Sequence, residues 1–372
     1  MNNNSYNTNL GIDTNLQNIL KGRFIFIDLI KIISIFIIFV THYLMDIGII
    51  NHMFSVDRLY SFINRPNIHL GMLSCSMFII CSGFGLSAFA EKKYNSEIKK
   101  ENLCKFYTSR LIRVLIPFYV TYFIYYILRI INQKNIFIFG GVPKWRIIFT
   151  ILGIDEYISA NGIRTFTLGI GEWYLGCLIL CYLFFPLIYN LTKKMPKATL
   201  TLMTIYFVLT PFFINNFVIV PHMNFLTQIY NFYLGILLYT SGIFKKENKQ
   251  LLLISIIFVV FIYACPIKFE VYYVFICTLF SLAVFIIFSY IDKFLSNGRS
   301  FVSFIKVFNM YSYEFFLCHH FVIYQVDYLL RYTIISKSLF IILFFVDLAL
   351  TIVFAFSVNV LSNKLVLNRI KK

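Results

Sequence analysis

Apolar positions along this chain gather into runs long enough to cross ~30 Å of hydrocarbon, at about 24–45, 68–90, 111–131, 168–191, 199–220, 225–243, 251–267, 270–291, 303–328 and 338–364. Polar residues collect between the runs, and most connections are only a few residues long. The pattern predicts an all-α fold, a polytopic integral membrane helix bundle of about ten transmembrane helices. It divides the chain into a polar N-terminal tail over 1–20, one transmembrane domain over 21–366 and a basic C-terminal tail over 367–372. Two connections are longer, a Lys-rich inner one at 91–110 and an outer one at 132–167. Within the outer one, Trp145–Leu152 is too short to span and carries an interfacial Trp, so it predicts a helix lying on or dipping into the surface.

The first run is interrupted by Asp28, Lys31 and His42, groups that hydrocarbon tolerates only at a cost of roughly 2.5 kcal/mol or more at its centre. Residues of this kind usually face the protein interior and mark a substrate or proton path. At ~100° and ~1.5 Å per residue, Lys31 and His42 are offset by only ~20° around the helix and ~16 Å along it, with Asp28 one turn below Lys31. One helix face therefore carries an acid, a base and an imidazole.

Composition agrees with a membrane protein: 59% of the 372 residues are hydrophobic and 13% charged, and the mean hydropathy is +0.78. If the N-terminus is cytoplasmic, inner segments hold the majority of the 33 basic residues, which places both termini inside. The same bias, with attraction to anionic lipid headgroups, accounts for most of the +17 charge and gives no reason to expect nucleic acid. The first twenty residues lack the pattern of a cleaved signal peptide, so the first span reads as its own uncleaved signal. The 8 cysteines lie mostly in apolar runs and never as Cys-x-x-Cys, which suggests packing rather than disulfides or zinc.

Four further segments carry chemistry. Arg110 and Arg113 stand one turn apart at the inner end of the third run, a planar, permanently charged pair suited to phosphate or equally to anchoring the membrane boundary. Ser82-Gly83-Phe84-Gly85 lies inside the second run and reads on its own as a helix-packing motif. Glu172, before Trp173 and Tyr174, opens the fourth run at its outer end, as an orienting partner for an imidazole such as His42 or as a solvated interfacial acid. The ninth run holds Ser312, Tyr313, Glu314, His319 and His320. Neighbouring histidines on a helix diverge by ~100° and no carboxylate has ligand spacing, so a metal is disfavoured. His52, His69 and His222 read as loop or interface residues without a role.

Taken in order, these segments resemble the acyltransferase-3 family of bacterial membrane proteins. The resemblance rests on Asp28-x-x-Lys31 with His42 after ten more residues, Phe78-Ile79-Ile80-Cys81-Ser82-Gly83-Phe84, and Arg110-x-x-Arg113 with Pro117. It continues through Trp173-Tyr174-Leu175, Tyr182-x-x-Phe185-Pro186, Tyr233-Leu234-Gly235-Ile236, and Ser312-Tyr313 leading to Leu317-x-His319, over about residues 23–325. It implies a ten-helix acyltransferase domain in the bacterial cell membrane, an acyl-coenzyme A donor reached from the cytoplasm, and an acceptor hydroxyl on an extracytoplasmic or lipid-linked carbohydrate. By position, His42 resembles the family's catalytic histidine, Lys31 its basic partner, and Arg110 and Arg113 its donor-binding pair. Lys31 stands where Arg is frequent, Glu172 precedes a Trp that other residues often precede, and Phe316 stands where Tyr is frequent.

The resulting expectation is a membrane O-acyltransferase using acetyl-coenzyme A, acetyl being the smallest and commonest acyl group, with membrane lipids as its other partner and no metal. Lys31, Arg110, Arg113 and Ser82 bind the donor, and His42 is the general base. Asp28 or Glu172 orients or charge-balances the path, and Ser82, Tyr313 or His319 donates to the developing oxyanion. Direct transfer and an acyl-enzyme are both compatible with the spacing. A transporter or flippase for a polysaccharide or lipid-linked sugar is the rival reading, and a structural component of a polysaccharide synthesis complex a third.

Overall fold

The computed structural model describes residues 24–49, 54–95, 97–135, 138–243, 248–269, 273–295, 298–330, 333 and 335–370. The polar tail over 1–20 and His52 lie outside the described residues. The chain is helical almost throughout, because backbone polar groups in an apolar setting must be satisfied within their own segment. The helices are α1 Ile25–Tyr43, α2 Phe54–Ile63, α3 Leu70–Tyr94, α4 Lys100–Gln133, α5 Ile147–Ile151, α6 Asp155–Ala160, α7 Glu172–Lys194 and α8 Pro196–Leu209. They continue as α9 Pro211–Ile214, α10 Phe225–Ser241, α11 Lys249–Ala264, α12 Tyr273–Leu295, α13 Arg299–Met310, α14 Ser312–Leu330 and α15 Lys337–Ile370. A short antiparallel ladder pairs β1 Asn64–Arg65 with β2 Ile68–His69.

Among the described residues, 6 helices are long and apolar enough to cross a membrane: Ile25–Ile47, Leu70–Tyr94, Lys100–Gln133, Glu172–Lys194, Tyr273–Asp292 and Lys337–Val366. Pro196–Leu209, Lys249–Ala264 and Ser300–Met310 are shorter apolar helices. Large apolar side chains such as Phe36, Leu187, Leu202 and Phe345 remain exposed on these helices, the surface expected of a bundle whose solvent is lipid.

The bundle is built around α3, which packs along α1 and α10. A Cβ on Gly83 would lie 2.1 Å from the Phe232 carbonyl oxygen, and one on Gly235 would lie 2.0 Å from the Ile80 carbonyl oxygen. The two glycines therefore let the α3 and α10 backbones touch at reciprocal points, which explains both glycine motifs as packing devices. Gly176 does the same for α6 against α7, where a Cβ would meet the Tyr157 Cβ at 2.4 Å.

Two runs and one connection fold differently from the sequence pattern. The run at 199–220 gives α8, then a break at Thr210 before α9, because Pro211 has no N–H to continue the ladder. The run at 303–328 is two helices separated at Tyr311, with the Ser312 hydroxyl bonded to the Asn309 carbonyl at 2.9 Å. The Lys-rich stretch at 91–110 is not all connection: from Lys100 onward it is the first part of α4, since Lys, Glu and Leu are good helix formers. The Trp145–Leu152 segment is helical, as a 3₁₀ turn Lys144–Arg146 followed by α5, with Trp145 exposed.

Candidate active site

Two helix ends and the middle of a third helix converge on one carboxylate. The last turn of α1 carries His42, and the chain continues as a π-helical segment, Leu44–Ile49, that carries Asp46. Such wide turns recur at functional sites because they re-aim side chains. Glu172 opens α7 with φ +45°, directly after Gly171 at φ +74°. A left-handed Glu is uncommon and costs on the order of 1 kcal/mol or more, so the surrounding structure holds this carboxylate against a backbone preference. The helix N-terminus also favours a negative charge there. From α14 come His319 and His320.

Glu172 Oε1 lies 3.2 Å from His42 Nε2, 3.1 Å from His320 Nδ1 and 3.7 Å from His319 Nε2. The other His320 nitrogen, Nε2, lies 3.1 Å from Asp46 Oδ2. The His42 ring is 4.3 Å from His320 and 5.3 Å from His319, centroid to centroid. A carboxylate beside His42 Nε2 holds the imidazole proton on that nitrogen, which leaves Nδ1 with the lone pair a general base needs. His319 Nδ1 is 2.6 Å from the Phe316 carbonyl, which can only accept, so the neutral ring has its lone pair on Nε2. In that form His319 cannot donate to an oxyanion.

His42, Glu172 and His320 also offer ligand atoms within 4.8 Å of one another, a donor set that zinc accepts. The spacing argument against a metal does not bear on this set, because its members come from three different helices.

Below the cluster lies a cavity of ≈ 340 Å³ whose lining includes Lys31, Ser82, Arg110 and Arg113. Among the described residues, no carboxylate lines it. The Arg110 guanidinium sits 3.7 Å over the Phe89 ring, and its buried Nε and Nη2 have no hydrogen-bond partner among the described residues. Buried guanidinium N–H groups without acceptors are costly, which suits a site that an anion completes. The cavity reaches Ile38, one turn before His42 on α1, and Phe316, whose ring lies 5.6 Å from His319. It therefore runs from the arginines to the foot of the histidine cluster.

The structure thus brings His42, Glu172 and His319 together, and separately gathers Lys31, Ser82, Arg110 and Arg113. Asp28 joins none of the clustered imidazoles: it sits ~21 Å along α1 from His42, and Asn309 Nδ2 donates to its Oδ1 at 2.7 Å. Because Asn309 lines the basic cavity, Asp28 buttresses that wall. Tyr313 donates its hydroxyl to the Val114 carbonyl at 2.8 Å, so that donor is already engaged. His69 caps α3, accepting from Met72 N at 3.4 Å. Sequence reasoning missed Asp46 and Asn309 altogether. Asp46 follows His42 by one turn, a spacing that marks a shared face; nothing local points to Asn309.

A family model described as an acyltransferase domain matches residues 24–360. Comparison with curated proteins and with solved structures gives no match.

Proposed function

Because the chain belongs to the acyltransferase-3 family, and so is a membrane acyltransferase, we propose that it moves an acyl group from cytoplasmic acyl-coenzyme A to a hydroxyl of an extracytoplasmic or lipid-linked carbohydrate. The observation that carries this reading is the cation-lined cavity of ≈ 340 Å³ that ends one helical turn from His42. A donor with anionic phosphates at one end and a long thin arm fits a chamber with Lys31, Arg110 and Arg113 at one level and His42 at another. In this reading the bundle has ten spans in the bacterial cell membrane, with both termini and the arginines on the cytoplasmic side. Acetyl is the favoured group as the smallest.

His42 Nδ1 takes the proton of the acceptor hydroxyl as that oxygen attacks the thioester carbonyl carbon. The C–O bond forms, the tetrahedral centre collapses with loss of the C–S bond, and the leaving sulfur recovers the proton from the His42 imidazolium. The products are the O-acylated acceptor and free coenzyme A thiol, so atoms and protons balance. Glu172 positions His42 and offsets its transient positive charge, and general-base help of this kind contributes ~10²–10⁴-fold. His320 and Asp46 brace Glu172 from the far side.

The test is coenzyme A release from acetyl-coenzyme A by the protein in lipid, supplied with a glycan extract. Release that His42→Ala abolishes supports the reading. Movement of a lipid-linked sugar across the bilayer without coenzyme A turnover replaces it with the transport reading.

A further inference from the structure

A second chamber, of ≈ 630 Å³, lies beyond the histidine cluster, between the last turns of α4, the loop at Gly169 and the last turns of α14. Its volume is that of a small-ligand site. Along α14 the order is plain: Ser312 and Phe316 line the arginine cavity, His319 and His320 form the cluster, and Tyr324 and Gln325 line the second chamber. Along α4 the same order runs from Arg110 and Arg113 to Arg129 and Asn132. The two chambers therefore meet the histidines from opposite ends.

We propose that this second chamber is an acceptor subsite that seats a neutral sugar ring adjacent to the ring being acylated. The proposal rests on the acyltransferase reading above and adds the class of acceptor. Tyr324 forms a wall of the chamber and stacks on His320 at 4.3 Å with an interplanar angle of 21°. His320 in turn lies 4.3 Å from His42. The chamber wall is thus two ring contacts from the base, so a ring resting there is a neighbour of the reacting one. An acceptor of more than one sugar uses both places, and a monosaccharide uses only one.

The lining is polar and carries no net positive charge. Asn132 Nδ2 donates to Gln325 Oε1 at 2.7 Å, which orients the pair and leaves Asn132 Oδ1 and the Gln325 amide N–H groups for a ligand. Tyr328 donates to the Asn132 carbonyl at 3.3 Å and fixes that turn. Arg129 shares the lining with two carboxylates, Glu156 and Asp327, and Glu156 accepts from the Thr167 hydroxyl. A uronate or a phosphorylated sugar would face those carboxylates, whereas a hexose or N-acetylhexosamine meets an aromatic wall and amide groups of both polarities. The contrast with the arginine cavity is one of charge: one chamber suits an anion and the other a neutral polyol.

Saturation-transfer NMR on the protein in nanodiscs, without donor, tests this directly. The probes are a panel of neutral hexose and N-acetylhexosamine oligosaccharides and a matched panel of uronate and phosphorylated oligosaccharides. The expected result is binding of neutral oligosaccharides longer than one ring, weakened at least tenfold by Tyr324→Ala and by Gln325→Ala, and unchanged by Arg110→Ala. Retained acetyl-coenzyme A binding by the chamber variants shows that they are folded. Silence of both panels, preference for the anionic one, or neutral binding unmoved by both variants overturns the subsite. Coenzyme A release to another acceptor with silent panels removes the subsite and leaves the acyltransferase reading. Neutral-glycan binding by a protein that neither binds nor turns over acetyl-coenzyme A does the reverse.

Discussion

Glu172 Oε1, at the start of α7, lies 3.2 Å from His42 Nε2, in the last turn of α1. The contact decides which imidazole nitrogen carries the proton and which is free to accept one. Glu172→Gln keeps the shape and removes the charge, so it is expected to lower the rate of acyl transfer by ~10²-fold or more while leaving donor affinity near wild type, within the range of general-base effects. Steady-state coenzyme A release, analysed for kcat and KM separately, checks this; an unchanged kcat would detach Glu172 from catalysis.

Arg110 presents the opposite signature. Its buried guanidinium, stacked on Phe89 and short of acceptors, is expected to serve binding rather than chemistry. Arg110→Ala should raise KM for the acyl donor about 10–100-fold with kcat changed far less, the effect of one or two charge-assisted hydrogen bonds. Arg110→Lys should recover little, because an ammonium has neither the planar fork nor the stacking face. Titration of acetyl-coenzyme A by calorimetry reads the same loss without turnover.

The contact of α3 with α10 is expected to tolerate no added atom. Gly235→Ala places a methyl group 2.0 Å from the Ile80 carbonyl oxygen, so the helices must part. The expected cost is roughly 1–3 kcal/mol, as for overpacked cores, with a lower midpoint of thermal unfolding in detergent. Gly85→Ala is the control, since a Cβ there meets nothing within 4 Å.

Stability of the segment around α6 should depend on pH through Asp155. Burial raises its pKa to about 7, with the hydrogen bond from Thr150 opposing the shift. A carboxyl whose pKa is higher folded than unfolded binds the extra proton only in the folded state, so its stabilisation is complete below its ordinary value near 3.8 and is lost as pH rises to about 7. The protection of the amides over 150–165, relative to intrinsic exchange at each pH, is therefore expected to fall as pH rises from 3.8 to about 7, and Asp155→Asn to flatten that dependence. A wild-type profile that stays flat would show that Asp155 ionises freely.

How far the site could be read from the chain differs residue by residue. The apolar runs and the shared face of Lys31 and His42 follow from periodicity alone, because each membrane helix satisfies its own backbone and its pattern is local. Arg110 and Arg113 stand out for the same reason, as does Gly83, whereas Gly235, on the other side of the α3 and α10 contact, entered only through the family resemblance. What periodicity does not carry is helix ends, rotation and depth relative to neighbours. The break at Tyr311 turned one expected helix into two, and with it Asn309 came to hold Asp28 far from His42. Asp46 and His320, unassigned in sequence, became the brace behind Glu172 because the π-helical turn and the middle of α14 deliver them there. The chain by itself determined a membrane bundle with ionisable groups inside it, since burial cost is written in residue type; which of those groups face one another was decided only by packing, since that depends on contacts between helices remote in sequence.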